Sequence, residues 1–385
     1  MSFTSRLRAT SRTTAALIAL ACLSACGGGG AADNEGGAWQ PGQAWRLVPQ
    51  TTIGAVDGEG PEVFAQVVDV ELDPLGRVWI ADGQQHQIRV FDSAGTHVRS
   101  IGRRGGGPEE FNGIAGMSWA ADGTLWVLDG GNMRFAVYDT AGRFITTHRR
   151  DVNVTVTPWP LGFDSRGNLY DRASVASHDD PAERIVRFAP VLQPRDTFRV
   201  PPFEAQVFEL VREQGGNRSI SRVNVPFSPD QQWRLDPEGF VWVAVTDRYR
   251  LTRFRFDGTI DRIVERPVRP RPVTAEQRQK MLESYRGFQQ SGGRIDESRI
   301  PRTQPVIIHF FVADDGYLWV KPDRGTHRVM DVFGPDSRYL GEVSLPRTLQ
   351  PLPLPAVRGD RMASVIVDED GVQSVMLMRI EKPAG

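Results

Sequence analysis

Lysine is nearly missing from this 385-residue chain: Lys280, Lys321 and Lys382 are the only three among 46 basic residues. Positive charge is therefore carried by arginine, whose planar fork suits carboxylate and carbonyl partners better than an ammonium does. A GC-rich coding sequence would leave the same bias, so the composition alone marks no binding surface. Cysteine is scarcer still, at two residues, and Cys22 and Cys26 lack the paired spacing of a zinc site. There is no Gly-x-Ser-x-Gly elbow and no phosphate loop, which removes the most readable hydrolase and nucleotide-binding signatures. The formal charge is only −1, without a basic block. Nothing there calls for nucleic acid. The apolar run Ala15 to Leu23 is too short to span a bilayer as a mature helix.

Glycine is abundant, with 39 residues beside 27 prolines, as a chain of many tight turns requires. Hydrophobic residues make up 40%, enough for a sizeable core. Between Gly60 and Gly142 one unit is written twice. A shift of 47 lays Gly60 on Gly107, Pro61 on Pro108, Phe64 on Phe111, Gly76 on Gly123, Trp79 on Trp126 and Asp82 on Asp129. Within the first copy, Val68, Val70 and Leu72 alternate, Asp73 to Gly76 turns, and Val78 to Ala81 forms a second strand. Ile88 to Phe91 and Val98 to Ile101 supply a third and fourth. A period in the forties built of four short antiparallel strands predicts propeller blades.

A turn glycine followed three residues later by an aromatic marks each copy: Gly76/Trp79, Gly123/Trp126, Gly167/Tyr170, Gly239/Trp242 and Gly316/Trp319, with a weaker sixth at Gly359/Met362. The spacings are 47, 44, 72, 77 and 43, so two intervals carry insertions, placed at 201–232 and 267–304. The expected fold is all-β, a six-bladed propeller with a short helical insertion between blades four and five. That helix covers 274–288, where Thr274 and Gln277 form a capping box. It is expected either to lie over the channel mouth or simply on the rim. The last blade is one strand short, and the N-terminal run around Trp45–Val48 is expected to complete it and hide the open seam.

The Gly-x-Gly-Pro-x-x-Phe segment, followed by Asp-x-x-Gly-x-x-Trp and the Arg-Val-Phe-Asp strand, resembles NHL-repeat propellers. More closely, the chain is similar to the six-bladed β-propeller lipoproteins of bacteria. The third blade departs from that pattern, having no Gly-x-Gly-Pro entry. The N-terminus fits the resemblance. Arg6, Arg8 and Arg12 precede the apolar run, which ends in Leu23-Ser24-Ala25-Cys26 and then four glycines. This resembles a lipobox, which implies a signal peptide at 1–25, lipidation of Cys26 and a tether at 26–43. The propeller would then span 44–385, with 43 basic against 47 acidic residues in the mature chain. Gly27 after the cysteine implies the outer membrane, in the cell envelope, and one acylated cysteine leaves no intramolecular disulfide.

In such a meander, the loops joining strands two and three share a face with the links between blades. The resemblance implies that this loop face binds. The candidate ligand residues there are His86, Arg134, His178, Arg248, Tyr249, Arg324 and His327. Arginines with Tyr249 would suit a carboxylated, sulfated or sugar-like ligand. The alternative is that Arg89, Arg134, Arg253 and Arg328, which follow the repeat, brace adjacent loops. Some NHL-type lyases hold zinc through histidines of different blades, which leaves zinc or calcium open without requiring a cofactor. His309, on a first strand, reads as a satisfied core histidine, and Asp314-Asp315 as a structural turn. The recurring Trp79, Trp126, Tyr170, Trp242 and Trp319 read as core between blades. The resulting expectation is a monomeric, lipid-anchored propeller that binds a ligand or envelope protein without chemistry of its own, against a metal-assisted lyase or hydrolase as the alternative.

Overall fold

Three of the turns between first and second strands are built around one buried carboxylate, Asp73, Asp164 or Asp236, and the strands follow from it. Asp73 accepts from the backbone of Leu75 and Arg77, both at 2.9 Å, while its other oxygen takes Arg77 Nε at 2.6 Å and Trp79 Nε1 at 3.1 Å. Gly76 closes the turn at φ 77°, a left-handed angle that costs glycine little. Asp164 repeats the arrangement, with Tyr170 Oη donating at 2.9 Å. At Gly76/Trp79 and Gly167/Tyr170 the marker thus has a cause: the aromatic indole or hydroxyl reaches back to the carboxylate of its own turn, whereas Asp236 takes Arg253 Nε there instead. Where alanine starts the turn, the pattern breaks. Trp126 turns to Thr124 Oγ1 at 3.1 Å, and Trp319 Nε1, beyond Ala313, has no partner among the described residues.

A computed structural model describes residues 36–150, 162–173, 183–190, 192–214, 217–325 and 328–383. The lipobox and Cys26 lie outside them. After β1 (Arg46–Ile53) come blade one, β2 (Val67–Leu72), β3 (Val78–Asp82), β4 (Gln87–Phe91) and β5 (His97–Ile101), and blade two, β6 (Ile114–Trp119), β7 (Leu125–Asp129), β8 (Arg134–Tyr138) and β9 (Phe144–Arg149). Blade three has β10 (Leu169–Ala173), β11 (Arg184–Phe188) and β12 (Pro194–Arg199), with a single Phe163–Leu169 bridge on its inner side. A hairpin, β13 (Val207–Gln214) and β14 (Asn217–Asn224), precedes blade four: β15 (Gln231–Leu235), β16 (Val241–Val245), β17 (Arg250–Phe254) and β18 (Ile260–Glu265). Blade five is β19 (Ile307–Val312), β20 (Leu318–Pro322), β21 (Val329–Phe333) and β22 (Tyr339–Ser344). Blade six is β23 (Ala356–Arg358), β24 (Arg361–Val367) and β25 (Gln373–Glu381), with β1 as its outer strand in the order β1-β25-β24-β23. The six blades make an all-β propeller.

Side chains of neighbouring blades interlock to form the core. Trp79, Ile88 and Val90 of blade one pack with Met117, Trp119 and Leu125 of blade two, and the Trp79 and Trp119 rings meet edge-on at 5.3 Å. The recurring aromatics are all buried, as a shared structural position requires.

Two features differ from expectation. The helix over 274–288 is two pieces, α1 (Ala275–Ser284) and α2 (Arg286–Gln290), although the Thr274–Gln277 capping box is present. Its apolar side meets the other insertion: Leu282, Tyr285 and Phe288 pack on a cluster of Phe208, Val225 and Ile300, and Tyr285 Oη donates to the Asn224 carbonyl at 2.6 Å. A ten-residue helix cannot persist alone. The hairpin, unforeseen in the sequence, supplies its partner surface. Docking onto the propeller also begins before residue 44. Ala38 and Trp39 donate to the carbonyls of Tyr339 and Leu340 at 3.1 and 2.8 Å. The Trp39 ring rests on Gly341, where any Cβ would collide with it.

Along the seam β1 makes seven backbone pairs with β25 and buries Leu47 and Ile53, with Trp45 beside them. A chain beginning at Ala55 should therefore lose at least about 5 kcal/mol of stability, two or three large core side chains plus an exposed edge, against one beginning at Gly36. Urea unfolding of the two chains checks this, and equal midpoints would refute the role of the seam.

Candidate functional site

Of the residues expected to bind on the loop face, those within the described residues are each engaged or placed separately, apart from Tyr249 and Arg324. Arg134 is committed to its own blade: Nε donates to Asp129 at 3.1 Å, and Nη2 to the carbonyls of Gly107 and Glu110, both at 2.6 Å. Arg89 does the same for the first copy, reaching the Pro61 carbonyl at 2.9 Å. Bracing is thus the observed role of both arginines. Tyr249 and Arg324 do meet, but at a buried carboxylate: Tyr249 Oη, Arg266 Nη1 and Arg324 Nη2 donate to one oxygen of Asp331 at 2.7, 2.8 and 2.8 Å, while Tyr339 takes the other at 3.1 Å. Arg248 is exposed, 3.8 Å from Asp247. His86 sits at φ 55° with Nδ1 buried and without a partner among the described residues. His178 and His327 lie outside the described residues. Among those described, no group of three His, Cys, Asp or Glu residues is arranged to hold a metal ion.

A cavity of about 490 Å³ runs instead along the inner strands. It reaches the Asp-Gly turns, lined there by Pro74, Gly123, Ser165, Pro237 and Asp314, so it extends to the face opposite the one expected to bind. Among the described residues, none from a strand-two-to-three loop contributes to it. Its walls are largely apolar, with Met117, Trp119, Phe163, Leu235, Phe311 and Leu352. Leu352 is 57% exposed because it faces this space. Such a volume and lining are typical of small-molecule sites.

Charge is concentrated on this apolar surface. Asp69 and Glu71, two apart on β2, line the cavity together with Asp314, Arg358 and Arg234. Burial pushes Asp69 up to about 7, against the pull of backbone hydrogen bonds from Met117 at 2.6 Å and Val70 at 2.8 Å. Burial also drives Glu71 well above the usual carboxylate range; Asp69 and Asp314 repel its charge and Arg358 offsets part of that. Asp314, read from sequence as a structural turn, is raised by burial and by Asp315. Across the ring on blade four, Arg234 is lowered by burial to about 10. Its partners are carbonyls, Trp233 at 2.7 Å and Phe310 at 3.0 Å, and it stacks over the Phe310 ring at 5.3 Å.

The family DUF5128, described as a 6-bladed beta-propeller, matches residues 63–170. The chain is a six-bladed β-propeller. Similar solved structures include virginiamycin B lyase from Staphylococcus aureus, at 10% identity over 88% of this chain and 100% of that one, with a TM-score of 0.42. A member of the duf4221 family from Bacteroides vulgatus shares 11% identity over 89% and 99%, with a TM-score of 0.47. The calcium-binding protein regucalcin from Agrobacterium tumefaciens shares 11% over 88% and 95%, with a TM-score of 0.41. No curated protein matches the sequence.

Beside the channel the propeller also buries His309, which pairs across the ladder with Lys321. Burial first, then Arg234 and Lys321, lowers His309 to about 3, so it is neutral in the folded state. Its Nδ1 has no partner among the described residues. Between about pH 3 and 6.5 the unfolded chain holds one more proton at this position than the folded chain does, so His309 makes stability fall as pH drops. Asp69 acts oppositely: between about pH 4 and 7 the folded chain holds the extra proton, and stability falls as pH rises. Measured against wild type between pH 4.5 and 6.5, His309→Leu should gain relative stability as pH falls, and Asp69→Asn as pH rises. Each difference should approach about 1.4 kcal/mol per pH unit. Urea unfolding at four pH values checks the signs, and parallel curves would refute both assignments.

Proposed function

We propose that this protein is a membrane-attached, non-catalytic binding propeller whose ligand is a small organic molecule held in the central channel. The observation that carries the reading is the cavity itself, an apolar and aromatic space that holds Glu71 and Asp314, carboxylates with no ion pair within 4 Å among the described residues. Desolvation of the half-buried Glu71, only partly offset by Arg358, disfavours its charged form, and residues kept at such a cost mark functional surfaces more often than structural ones. On the loop face, by contrast, Arg134, Tyr249 and Arg324 already have protein partners for their polar groups.

Membrane attachment through Cys26 rests on the lipobox resemblance, and the path of the chain is compatible with it. Ala38 and Trp39 dock beside the turn between β21 and β22, and Trp45 lies against Tyr317 at 4.8 Å, just past the turn at Gly316. The chain therefore joins the propeller at the face the cavity reaches. Ten residues separate Cys26 from Gly36, a reach of at most about 35 Å. An anchored propeller would hold the channel mouth close to the bilayer.

Two outcomes are expected. Ala121→Trp, at an exposed rim position, should leave the melting temperature unchanged and weaken any channel ligand at least tenfold, whereas Arg248→Ala on the loop face should not alter binding. A small-molecule screen by calorimetry checks this, and the reverse pattern would return the site to the loop face. Cys26→Ala should move the protein from the membrane to the soluble fraction and abolish palmitate labelling; a variant that stays on the membrane would refute the lipid anchor.

A further inference from the structure

We propose that the channel ligand is an organic amine, its ammonium among Glu71, Asp69 and Asp314 and its apolar body against Met117, Trp119 and Phe311. This rests on the channel being the ligand site and names what enters it. The cavity gathers three carboxylates from blades one and five around one guanidinium, Arg358 of blade six. Arg234 does not complete the set: it belongs to blade four, opposite blade one, and its bonds go to carbonyls. The remaining acids on the lining are already engaged. Asp164 is bonded by Asn168 and Tyr170, and Asp236 by Arg253. Glu71 and Asp314 form no ion pair within 4 Å among the described residues, and Asp314 accepts from backbone alone, from Asp315 and, at 3.4 Å, from Gly359. The cluster is short of positive charge.

Two sources can supply that charge, protons or a bound cation. The raised affinity of Asp69 and Glu71 for protons is the empty-site answer. A bare metal ion is a poor occupant, because hard cations want six or more oxygen ligands and would leave the apolar wall unused. An ammonium carries up to three donors for the carboxylates, and an attached hydrocarbon or aryl group removes the wall from water. Binding must then expel protons from the carboxylates.

Four probes on one phenethyl frame separate the options: phenethylamine, its trimethylammonium analogue, 2-phenylethanol and 3-phenylpropionate, titrated by calorimetry into residues 36–385. The expected result is phenethylamine binding at least tenfold tighter than the alcohol or the acid, with proton release seen as a heat that depends on the buffer. Glu71→Gln should weaken the amine at least tenfold and reduce the released proton, while melting no lower than wild type. Arg358→Gln should tighten the amine, which no merely structural role of these residues would produce. If the alcohol or acid binds as well as the amine, and Ala121→Trp blocks it, the channel is the site and the amine assignment is overturned. Tighter binding of the trimethylammonium analogue would overturn the donor role of the ammonium. If no probe binds, or binding ignores Ala121→Trp, the channel reading falls with it.

Discussion

The ring depends on one pairing made across nearly the whole chain, β1 on β25. Every other sheet consists of strands close in sequence, so each could form locally. None of those sheets can bury both of its faces alone, because each blade gets its cover from the blades on either side. A linear array would leave the first and last blades half-exposed and β25 with a free edge. Pairing Arg46–Ile53 with Val375–Glu381 removes that edge and brings blade six against blade one, where Ile53, Val70 and Ile80 pack with Ala363 and Val365. The channel exists only once that contact is made.

Closure also explains where the charged cavity comes from. In a single sheet, the alternation of Val67–Leu72 would place Asp69 and Glu71 on a solvated face. In a closed ring both faces of a blade are covered, and the inner strand has only the axis on which to put polar side chains. Asp69 is consequently held by the backbone of the next blade, at Met117, and Glu71 stands beside Asp314 of blade five and Arg358 of blade six. Replacing such groups with apolar ones of similar size commonly stabilises a protein. Asp69 offsets part of its cost by accepting from the Met117 backbone of blade two, so Glu71, with no such bond across blades among the described residues, is the more informative of the two.

This is why the fold was legible in the sequence and the cavity was not. The 47-residue shift, the turn glycines and the short last blade are local signals, and each has a local cause, such as the Asp73–Trp79 bond. The inner-strand acids carry no signal of their own: in Val-Val-Asp-Val-Glu-Leu they read as ordinary polar alternation. Recognising them requires asking which strand of each repeat faces the axis, and then which of those strands carry charge. His86 and Arg134 drew notice because they sit in loops, where binding residues are common. But loops that link blades must also be held down, and an arginine near a carbonyl-rich turn does that first. The hairpin Val207–Asn224 was missed for another reason: its partner, the helix of the other insertion, lies beyond the whole of blade four in the chain.

The near-absence of lysine has a structural counterpart. Arg89 and Arg134 each hold a Gly-Pro loop through several carbonyls at once, and Arg234 spans two carbonyls and an aromatic ring. A guanidinium can do this because its five donors lie in one plane with fixed spacing, and its weak hydration lowers the cost of burial. An ammonium offers three donors on a flexible stem and loses more solvation when buried. Lys321 illustrates the difference: it is buried, donates to a single carbonyl at 2.9 Å, and is pushed down to about 8. A propeller with irregular links between blades has many exposed carbonyls to satisfy at each junction. Whatever biased the composition toward arginine, the fold uses that bias to tie its loops to its blades.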